Sequence, residues 1–221
     1  MISSSFSKTY DHRPVLRMPE MVWEPGKIYA VIGANGSGKS TLAKILAGIL
    51  KPDQNRSPIS GARIGYLPQK PYAFRMSTEK NLYLNGTDCK RAEQLLTVLG
   101  LESLRKKQAH RLSGGETAKL ALARLLMRDY ALLILDEPTA AMDMESTLVS
   151  ENLIRNYQDE TQCAVIIITH NLQQARRIAD RILYLEKGEL VEAGEKTEFL
   201  QNPKRTETKR FLQFFGFDSL S

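Results

Sequence analysis

The sequence has few of the residues that mark a metal-binding, disulfide-stabilised or membrane-embedded protein. Its 221 residues include two cysteines and three histidines. Cys89 and Cys163 lie far apart and fit no metal or redox spacing, so we predict two buried thiols in a reducing compartment. The longest apolar runs, residues 131–135 and 164–168, have the length of strands and are far too short to span a bilayer. Residues 1–5 lack a long apolar core, so we expect no signal peptide.

Charge and length limit the classes of protein further. The formal net charge is +6, but the basic residues are scattered except at residues 105–107 and in the C-terminal tail. This pattern favours a solvated surface over a membrane-proximal one, and we expect no nucleic-acid partner. A chain of 221 residues can bury a full α/β core and suits one domain with a sub-domain.

One glycine-rich stretch, residues 33–41, fits the phosphate-binding pattern G-x-x-x-x-G-K-[ST]. A buried strand is predicted before it, over residues 27–32, and a helix after it, over residues 42–50. The backbone N–H groups of such a loop, together with the positive end of the following helix, can face a phosphate. The alternative is a glycine-rich turn that only caps a helix, but the Lys-Ser pair and both flanks favour a nucleoside triphosphate site.

Each side chain of this loop has a predicted role. Lys39 would contact the β- and γ-phosphates, and the Ser40 hydroxyl would bind Mg²⁺. The predicted nucleotide-binding residues of the loop are Gly33, Asn35, Gly36, Ser37, Gly38, Lys39, Ser40 and Thr41.

A second apolar strand, over residues 131–135, is followed by Asp136 and Glu137. Such a run is typical of a parallel sheet, whose carboxyl edge binds ligands. Asp136 is suited to hold Mg²⁺ through the waters of the metal, and Glu137 to accept a proton from a water aimed at the γ-phosphate. The alternative, two solvated acids in a turn, is uncommon after a hydrophobic strand.

Three further side chains stand where strands end, and the residues alone leave their roles open. Gln69 follows a predicted strand over residues 63–67 and could contact a metal or a water. His170 follows the strand at 163–168 and either points into the same crevice or caps the next helix. Tyr10 could stack on an adenine ring or be an ordinary strand tyrosine.

Residues 112–116 read Leu-Ser-Gly-Gly-Glu and precede a helix predicted to run to about residue 128. Ser113 is the predicted N-cap, while Gly114 and Gly115 expose bare N–H groups at the positive end of that helix. A second anion-binding terminus and a simple helix cap are both compatible with this pattern.

The order of elements predicts one α/β domain over residues 1–221, with a mainly parallel sheet, an antiparallel β sub-domain and an inserted helical sub-domain. The β sub-domain and the phosphate-binding core would comprise residues 1–76 and 109–221. Residues 77–108, with the helix that runs to about 128, would form the helical sub-domain.

Shorter elements are predicted at both ends of the chain. Residues 15–16 and 21–23 read as short antiparallel strands, and residues 181–193 as a hairpin. A helix over residues 204–217 would place Phe211, Phe214 and Phe215 on the body of the protein. In the helical insert, the predicted apolar face consists of Leu82, Leu84, Leu95, Leu96, Val98, Leu99 and Leu101.

In this order the segments resemble, over nearly the whole chain, the nucleotide-binding subunits of ATP-binding cassette (ABC) transporters. Residues 33–41 resemble the Walker A loop, 112–116 the signature motif, and 132–137 the Walker B strand with its catalytic glutamate. Gln69 takes the place of the Q-loop glutamine, Asp143 of the D-loop, His170 of the H-loop and Tyr10 of the adenine-stacking aromatic residue. Glu116 and Met142 depart from the usual glutamine and leucine.

The resemblance implies an ATPase with a phosphate-loop fold that uses ATP and Mg²⁺. Two copies would close head to tail around two ATP molecules, each ATP facing residues 113–116 of the other copy. Lys39, Glu137 and His170 would be catalytic, with His170 holding the γ-phosphate, and Ser40, Gln69 and Asp136 would surround the metal.

The resemblance further implies a peripheral protein on the cytoplasmic face of the cell membrane. Separate transmembrane permease subunits would dock near Gln69 and residues 71–76, with a solute-binding protein in the same system. The tail around residues 199–203 is similar to that of oxyanion or polar amino acid importers, and tungstate is the first candidate. The alternatives are a mechanochemical ATPase acting on ribosomes or DNA, and a dimerisation module that does not hydrolyse ATP.

Overall fold

The protein is built around one large sheet. The computed structural model describes residues 1–216, and its helices and strands alternate along most of the chain. The strands are β1 (Ile2–Ser3), β2 (Phe6–Tyr10), β3 (Arg13–Met18), β4 (Met21–Val22), β5 (Ile28–Ile32), β6 (Ile64–Leu67), β7 (Leu132–Asp136), β8 (Ala164–Ile168), β9 (Arg181–Glu186) and β10 (Glu189–Glu195). The helices are α1 (Lys39–Leu46), α2 (Thr78–Leu82), α3 (Cys89–Val98), α4 (Gly114–Leu126), α5 (Met144–Thr161), α6 (Leu172–Ile178), α7 (Lys196–Gln201) and α8 (Thr206–Phe214).

Eight strands form the large sheet, in the order β2-β3-β10-β9-β5-β8-β7-β6. The five strands β9, β5, β8, β7 and β6 are parallel to one another. The pairs β2-β3, β9-β10 and β1-β4 are antiparallel. This arrangement confirms the predicted α/β class, with a parallel core and antiparallel strands beside it.

Burial explains why the central strands form where they do. Every residue of β5, β7 and β8 is buried, as expected for strands covered by helices on both faces. Successive residues of β7 face opposite sides: Leu133 and Leu135 pack with α4, while Leu132 and Ile134 pack with α1. All parallel strands therefore end at one edge, where the phosphate-binding loop and the acidic residues also lie.

Several predicted boundaries differ from the observed ones. Helix α1 begins at Lys39 and ends at Leu46, because the chain turns through Gly48 with a φ of 73°. A left-handed residue ends a helix, so the predicted continuation to residue 50 was wrong. Strand β4 pairs with β1, and β3 pairs with β2.

Burial was predicted wrongly for three residues of the helical segment. Leu84 and Val98 were expected on the apolar face, yet they are 51% and 48% exposed. Cys89 was expected to be buried but is exposed, since it is the first residue of α3 after the N-cap Asp88. Cys163 is buried, as predicted.

The C-terminal helices pack against β9 and β10. The Glu192 side chain accepts hydrogen bonds from the backbone N–H groups of Lys204 and Arg205, at 2.9 and 3.0 Å. The ring of Phe211 lies 4.6 Å from that of Tyr184. Helix α8 thus docks on the body as predicted, although Phe214 points outward with 84% exposure. Phe217, the end of the predicted helix, lies outside the described residues.

Across the described residues, no helix combines the length and the apolar character needed to cross a bilayer.

Candidate functional site

The phosphate-binding loop adopts a conformation that needs glycine. Gly33 has a φ of 151°, and a Cβ there would lie 2.2 Å from the carbonyl oxygen of Leu185. Gly38, the residue before α1, has a φ of 100°, which disfavours any L side chain. The loop is therefore fixed by its backbone, with the amino end of α1 directed into it.

The Lys39 ammonium group lies inside this loop. Its Nζ donates hydrogen bonds to the carbonyl oxygens of Gly33 and Ala34, each at 2.8 Å. Burial lowers the pKa of Lys39, while the nearby carboxylates of Glu137 and Asp136 act in the opposite direction. The loop thus holds a positive charge at its centre, where an anionic ligand would meet it.

Ser40 and Asp136 are neighbours at the same edge of the sheet. The Ser40 hydroxyl donates to Oδ1 of Asp136 at 3.3 Å, which joins α1 to the end of β7. Burial is the main cause that raises the pKa of Asp136, and the hydrogen bond from Ser40 partly offsets it. Asp136 is only 2% exposed, so folding removes its carboxylate from bulk water, which costs free energy.

The oxygen atoms of Ser40, Asp136 and Gln69 are suitable ligands for Mg²⁺. Hydroxyl, carboxylate and carboxamide oxygens are the hard ligands that this ion prefers, and Mg²⁺ keeps several waters rather than requiring a full protein cage. Within residues 1–216, no group of three or more His, Cys, Asp or Glu side chains could hold a metal. A site that uses one carboxylate, one hydroxyl and ligand phosphates agrees with that composition.

Glu137 and His170 form a second pair. The backbone of Glu137 has a φ of 50°, and its N–H donates to the carbonyl oxygen of Ile168 at 2.9 Å, which turns the chain sharply after β7. Nδ1 of His170 lies 2.9 Å from Oε2 of Glu137. Asn171 caps α6 by accepting a hydrogen bond from the N–H of Gln174, so the capping role considered for His170 belongs to its neighbour.

A cleft of about 400 Å³ brings most of the predicted residues together. Its lining residues are Val15, Asn35, Gly36, Gly38, Lys39, Ser40, Thr41, Gln69 and Glu137. Gln69 therefore opens onto the same space as the phosphate-binding loop. Val15 was not predicted, and it reaches the cleft because β3 passes the loop: its carbonyl oxygen is 3.2 Å from a Cβ built on Gly38.

Tyr10 lies outside the lining of this cleft. It ends β2 at the tip of a hairpin, is 45% exposed, and has the Lys8 ammonium group 5.1 Å from its ring centre. From this hairpin, Val15 rather than Tyr10 lines the cleft.

The Ser-Gly-Gly-Glu segment begins α4 with a capping box. The Ser113 hydroxyl accepts from the N–H of Glu116 at 3.2 Å, and the Glu116 carboxylate accepts from the N–H of Ser113 at 2.7 Å. The second of these bonds lowers the pKa of Glu116. Gly114 and Gly115 are in the first turn, next to Ala141. This helix end lies outside the cleft lining of its own chain.

Asp143 has a comparable local role. Its carboxylate accepts a hydrogen bond from the N–H of Ser146 at 2.7 Å and so caps α5. Met142 precedes it, and its sulfur lies 3.2 Å from the Ser150 hydroxyl. Hydrogen bonds from Ser146 lower the pKa of Asp143.

Comparisons with known proteins agree with this geometry. Residues 16–140 match the profile of the ABC transporter family. This chain belongs to the ABC transporter family. It is 38% identical to the tungstate uptake system ATP-binding protein TupC of Peptoclostridium acidaminophilum over 205 residues, which cover 86% of this chain and 96% of that protein. It is also 34% identical to a zinc import ATP-binding protein, ZnuC, of Chelativorans sp. (strain BNC1), over 92% of this chain and 71% of that protein.

Solved structures share the fold. A dimeric ATP-binding cassette in a post-hydrolysis state with ADP and Pi superposes with a TM-score of 0.76 at 23% identity, covering 89% of this chain and 99% of the other. An ATP-binding subunit of an ABC transporter superposes with a TM-score of 0.80 at 22% identity, covering all of this chain and 95% of the other. The protein is thus an ABC-type ATPase that binds ATP.

The cassette has a second cleft, of about 540 Å³, next to Gln69. Its lining residues are Tyr66, Leu67, Pro68, Pro71, Tyr72, Phe74, Leu84, Asn85, Ala121, Arg124, Leu125 and Tyr130. The Arg124 guanidinium group donates to the carbonyl oxygen of Tyr72 at 3.0 Å and lies 5.0 Å from the ring of Phe74. Burial lowers the pKa of Arg124.

Sequence reasoning did not single out Arg124 as a functional residue. It lies in the last turn of α4, where the sequence alone does not distinguish it from a basic residue on the protein surface. The signal that could have found it is a single cation in the apolar run of residues 120–127 of α4, directly after Ala123 and before Leu125.

Proposed function

We propose that this cassette is the ATP-hydrolysing subunit of a bacterial importer for a small polar solute, with an oxyanion such as tungstate as the first candidate. The observation that carries the proposal is the meeting of two pairs, Ser40 with Asp136 and Glu137 with His170, around the Lys39 loop. The similarity to the TupC protein over 86% of the chain supports tungstate, while thiamine and zinc import proteins are also among the relatives.

The geometry supports a division of labour for hydrolysis. The loop N–H groups and the Lys39 ammonium group would bind the β- and γ-phosphates, and Ser40, Asp136 and Gln69 would hold Mg²⁺. When bound, Mg²⁺ neutralises charge that develops on the phosphate oxygens. Glu137 accepts a proton from the attacking water, and His170, 2.9 Å away, orients this carboxylate and contacts the γ-phosphate.

Two copies would complete the site. The exposed amino end of α4, with Ser113, Gly114 and Gly115, lies outside the cleft of its own chain, although it has the N–H groups of an anion-binding helix end. Facing the γ-phosphate bound by a second copy, it would sense whether that group is present. Residues 77–108, with α4, would then move as a helical sub-domain when the phosphate is lost. Asp143 would lie at the same interface, and Tyr10 would cover the adenine ring.

Permease subunits are the proposed partners of the second cleft. Its lining is mainly apolar, Leu67 and Pro68 of the lining lead directly to Gln69, and Arg124 adds a positive charge. A short helix from a transmembrane subunit would fill it, which would hold the cassette at the cytoplasmic face of the membrane. A solute-binding protein would deliver the substrate on the opposite side.

Hydrolysis is tested by Glu137→Gln. The variant keeps the loop and Lys39, so it should bind ATP with unchanged affinity. Loss of the base should lower turnover by about 10²-fold or more, since a positioned general base contributes 10²–10⁴-fold. The measurement is phosphate release under saturating Mg²⁺-ATP, with Glu79→Gln, a substitution in the first turn of α2, as the control. Near-normal turnover of Glu137→Gln would refute the assignment.

Association is tested in the same background. With cleavage blocked, Mg²⁺-ATP should convert the Glu137→Gln chain to a species of twice the mass, measured by analytical ultracentrifugation. Adding Ser113→Arg should abolish this change while the chain still binds ATP. A mass that does not double, or a Ser113→Arg chain that doubles normally, contradicts the two-copy proposal.

The solute is tested by uptake. In cells that lack this chain, tungstate accumulation should fall, whereas zinc and thiamine accumulation should not change. Restoring the wild-type chain should restore tungstate uptake, and the Glu137→Gln chain should not. If zinc or thiamine uptake is lost instead, the assignment as an importer stands, but the assignment of an oxyanion as the solute is wrong.

A further inference from the structure

Tyr66, on the edge strand β6, has a hydroxyl that hydrolysis as described above does not use. The hydroxyl oxygen is enclosed by protein and has no hydrogen-bond partner among residues 1–216. Tyr157, another enclosed tyrosine, donates instead to the carbonyl oxygen of Arg128 at 2.8 Å. A buried hydroxyl without a partner destabilises a folded protein, so its presence at Tyr66 requires a reason.

Sheet register places Tyr66 beside Asp136. Strands β6 and β7 are parallel, with Tyr66 opposite Ile134. Asp136 is two residues beyond Ile134, and residues two apart on a strand share one face. Tyr66 packs in the same cluster as Ile134 and Leu42 of α1, and Asp136 binds Ser40 of that helix. The hydroxyl and the carboxylate therefore lie on the same side of the sheet, beneath α1.

The chemistry of the two groups is complementary. A tyrosine phenol keeps its proton at neutral pH, so it can donate a hydrogen bond to a carboxylate. A carboxylate offers about four lone-pair sites, and Ser40 occupies one of them. A fixed O–H behind the carboxylate is the kind of contact that orients a metal-binding side chain.

We propose that Tyr66 is a positioning residue of the metal site, whose hydroxyl donates a hydrogen bond to Asp136 and holds this carboxylate in the rotamer that receives Mg²⁺. The proposal rests on the proposed function, since it needs a metal at Asp136. It adds a role for β6: the strand that leads to Gln69 also orients Asp136 from behind. The hydroxyl that lacks a partner in the ligand-free protein would thus form its hydrogen bond when metal is bound at Asp136.

The test is Tyr66→Phe in the full-length chain, with Mn²⁺ and ADP as probes so that no hydrolysis occurs. Loss of a hydrogen-bond partner behind a metal ligand lowers metal affinity by 10–100-fold. In the presence of ADP, the dissociation constant for Mn²⁺ should therefore rise about tenfold, as measured by electron paramagnetic resonance. The affinity for ADP in EDTA should not change. The melting temperature without ligands should stay the same or rise, because an unpartnered hydroxyl has been removed.

Tyr157→Phe is the matched control, because it removes a buried hydroxyl that has a structural partner. It should lower the melting temperature and leave the Mn²⁺ affinity unchanged, which is the opposite of the expected Tyr66→Phe result. In the Asp136→Asn background, Tyr66→Phe should cause no further loss of Mn²⁺ affinity, since the hydroxyl acts through that carboxylate.

The outcomes separate the two proposals. If ADP does not increase Mn²⁺ affinity in the wild-type chain, the metal site itself is wrong and the role of Tyr66 falls with it. If ADP does increase the Mn²⁺ affinity of the wild type, but the Mn²⁺ affinity of Tyr66→Phe is within twofold of the wild-type value, only the role of Tyr66 is overturned. A Tyr66→Phe chain that loses affinity for ADP in EDTA to the same degree also overturns it, because the defect is then not specific to the metal.

Discussion

At the scale of single residues, the cassette keeps charges in places that reduce its own stability. Asp136 is buried, and its pKa is raised above that of an ordinary carboxyl group. Lys39 is buried in the loop with a lowered pKa. In both residues burial disfavours the charged form, and on the proposed function the compensating interaction would come from a bound phosphate or metal. Perturbed pairs of this kind mark functional sites.

Asp136→Asn should make the ligand-free protein more stable. The folded-state pKa of Asp136 is raised, so the folded protein loses stability as pH rises from the unfolded carboxyl pKa through the folded one. Removing the charge should raise the free energy of unfolding at pH 7 by about 1 kcal/mol, or the melting temperature by about 2–4 °C. The advantage should disappear at a pH below both pKa values.

Calorimetry with and without ligand measures this effect. Mg²⁺ should no longer add to the stabilisation that ADP gives to Asp136→Asn. Asp88→Asn, at the exposed N-cap of α3, is the control and should not change the melting temperature, because asparagine caps as well as aspartate. A ligand-free Asp136→Asn chain that melts below the wild type would show that Asp136 contributes to folding.

At the scale of elements, α4 begins with an anionic residue at an end proposed to bind an anion. Glu116 closes the capping box and lies 3.6 Å from the Lys107 ammonium group, so its charge is partly compensated. Glutamine at the same position could also close a capping box, but without the charge. Glu116 thus stabilises the helix while it weakens the positive field of the helix terminus.

Glu116→Gln should therefore strengthen ATP-dependent association. In the Glu137→Gln background with Mg²⁺-ATP, we expect the dimer dissociation constant to fall about two- to fivefold at low salt, and the difference to shrink at high salt. The measurement is sedimentation equilibrium. Glu79→Gln, in the first turn of α2, is the matched control and should not change association. Weaker association of Glu116→Gln would contradict this effect of charge.

Stability should respond to pH in a defined direction. The pKa of Glu116 is lowered in the folded protein, so its cap contributes fully above the unfolded carboxyl pKa and is lost as pH falls through the lowered value. Melting temperatures of the wild type and Glu116→Gln should therefore converge in acid.

Which elements could be predicted depended on how local their signal is. The fully buried, mainly apolar strands β5, β7 and β8, and the loop at residues 33–41, follow from short runs of sequence, and the structure has them. The pairing of β1 with β4 was not predicted, because two-residue strands carry no period. Leu84 and Val98 have helical spacing, but exposure depends on neighbours that periodicity does not reveal. The left-handed backbone of Glu137 and the register of Tyr66 likewise depend on long-range pairing.

At the scale of the whole molecule, two clefts share one border. The nucleotide cleft includes Gln69, and the second cleft includes Leu67 and Pro68, which immediately precede it. A partner seated in the second cleft therefore contacts the segment that reaches the nucleotide. This adjacency supports a coupling between the proposed permease docking and hydrolysis.

Leu84→Asp should separate the two activities. Leu84 is 51% exposed in the second cleft, so a carboxylate there should abolish co-purification with a transmembrane partner while basal ATP hydrolysis stays within twofold of wild type. Val98→Asp is the matched control: it is similarly exposed, at 48%, but lies outside that cleft, and it should retain the partner. Retention of the partner by Leu84→Asp would move the docking site elsewhere.

The contact between Gly188 and β3 has a consequence for sequence divergence in this protein. A Cβ at Gly188 would lie 2.3 Å from the carbonyl oxygen of Val15, and the Gly188 N–H donates to the carbonyl oxygen of Ser37 in the phosphate-binding loop. Selection on the phosphate-binding loop therefore also acts on a position that does not line the cleft itself. Among descendants of this chain, position 188 should tolerate replacement as poorly as the glycines of the loop itself, for reasons of space rather than chemistry.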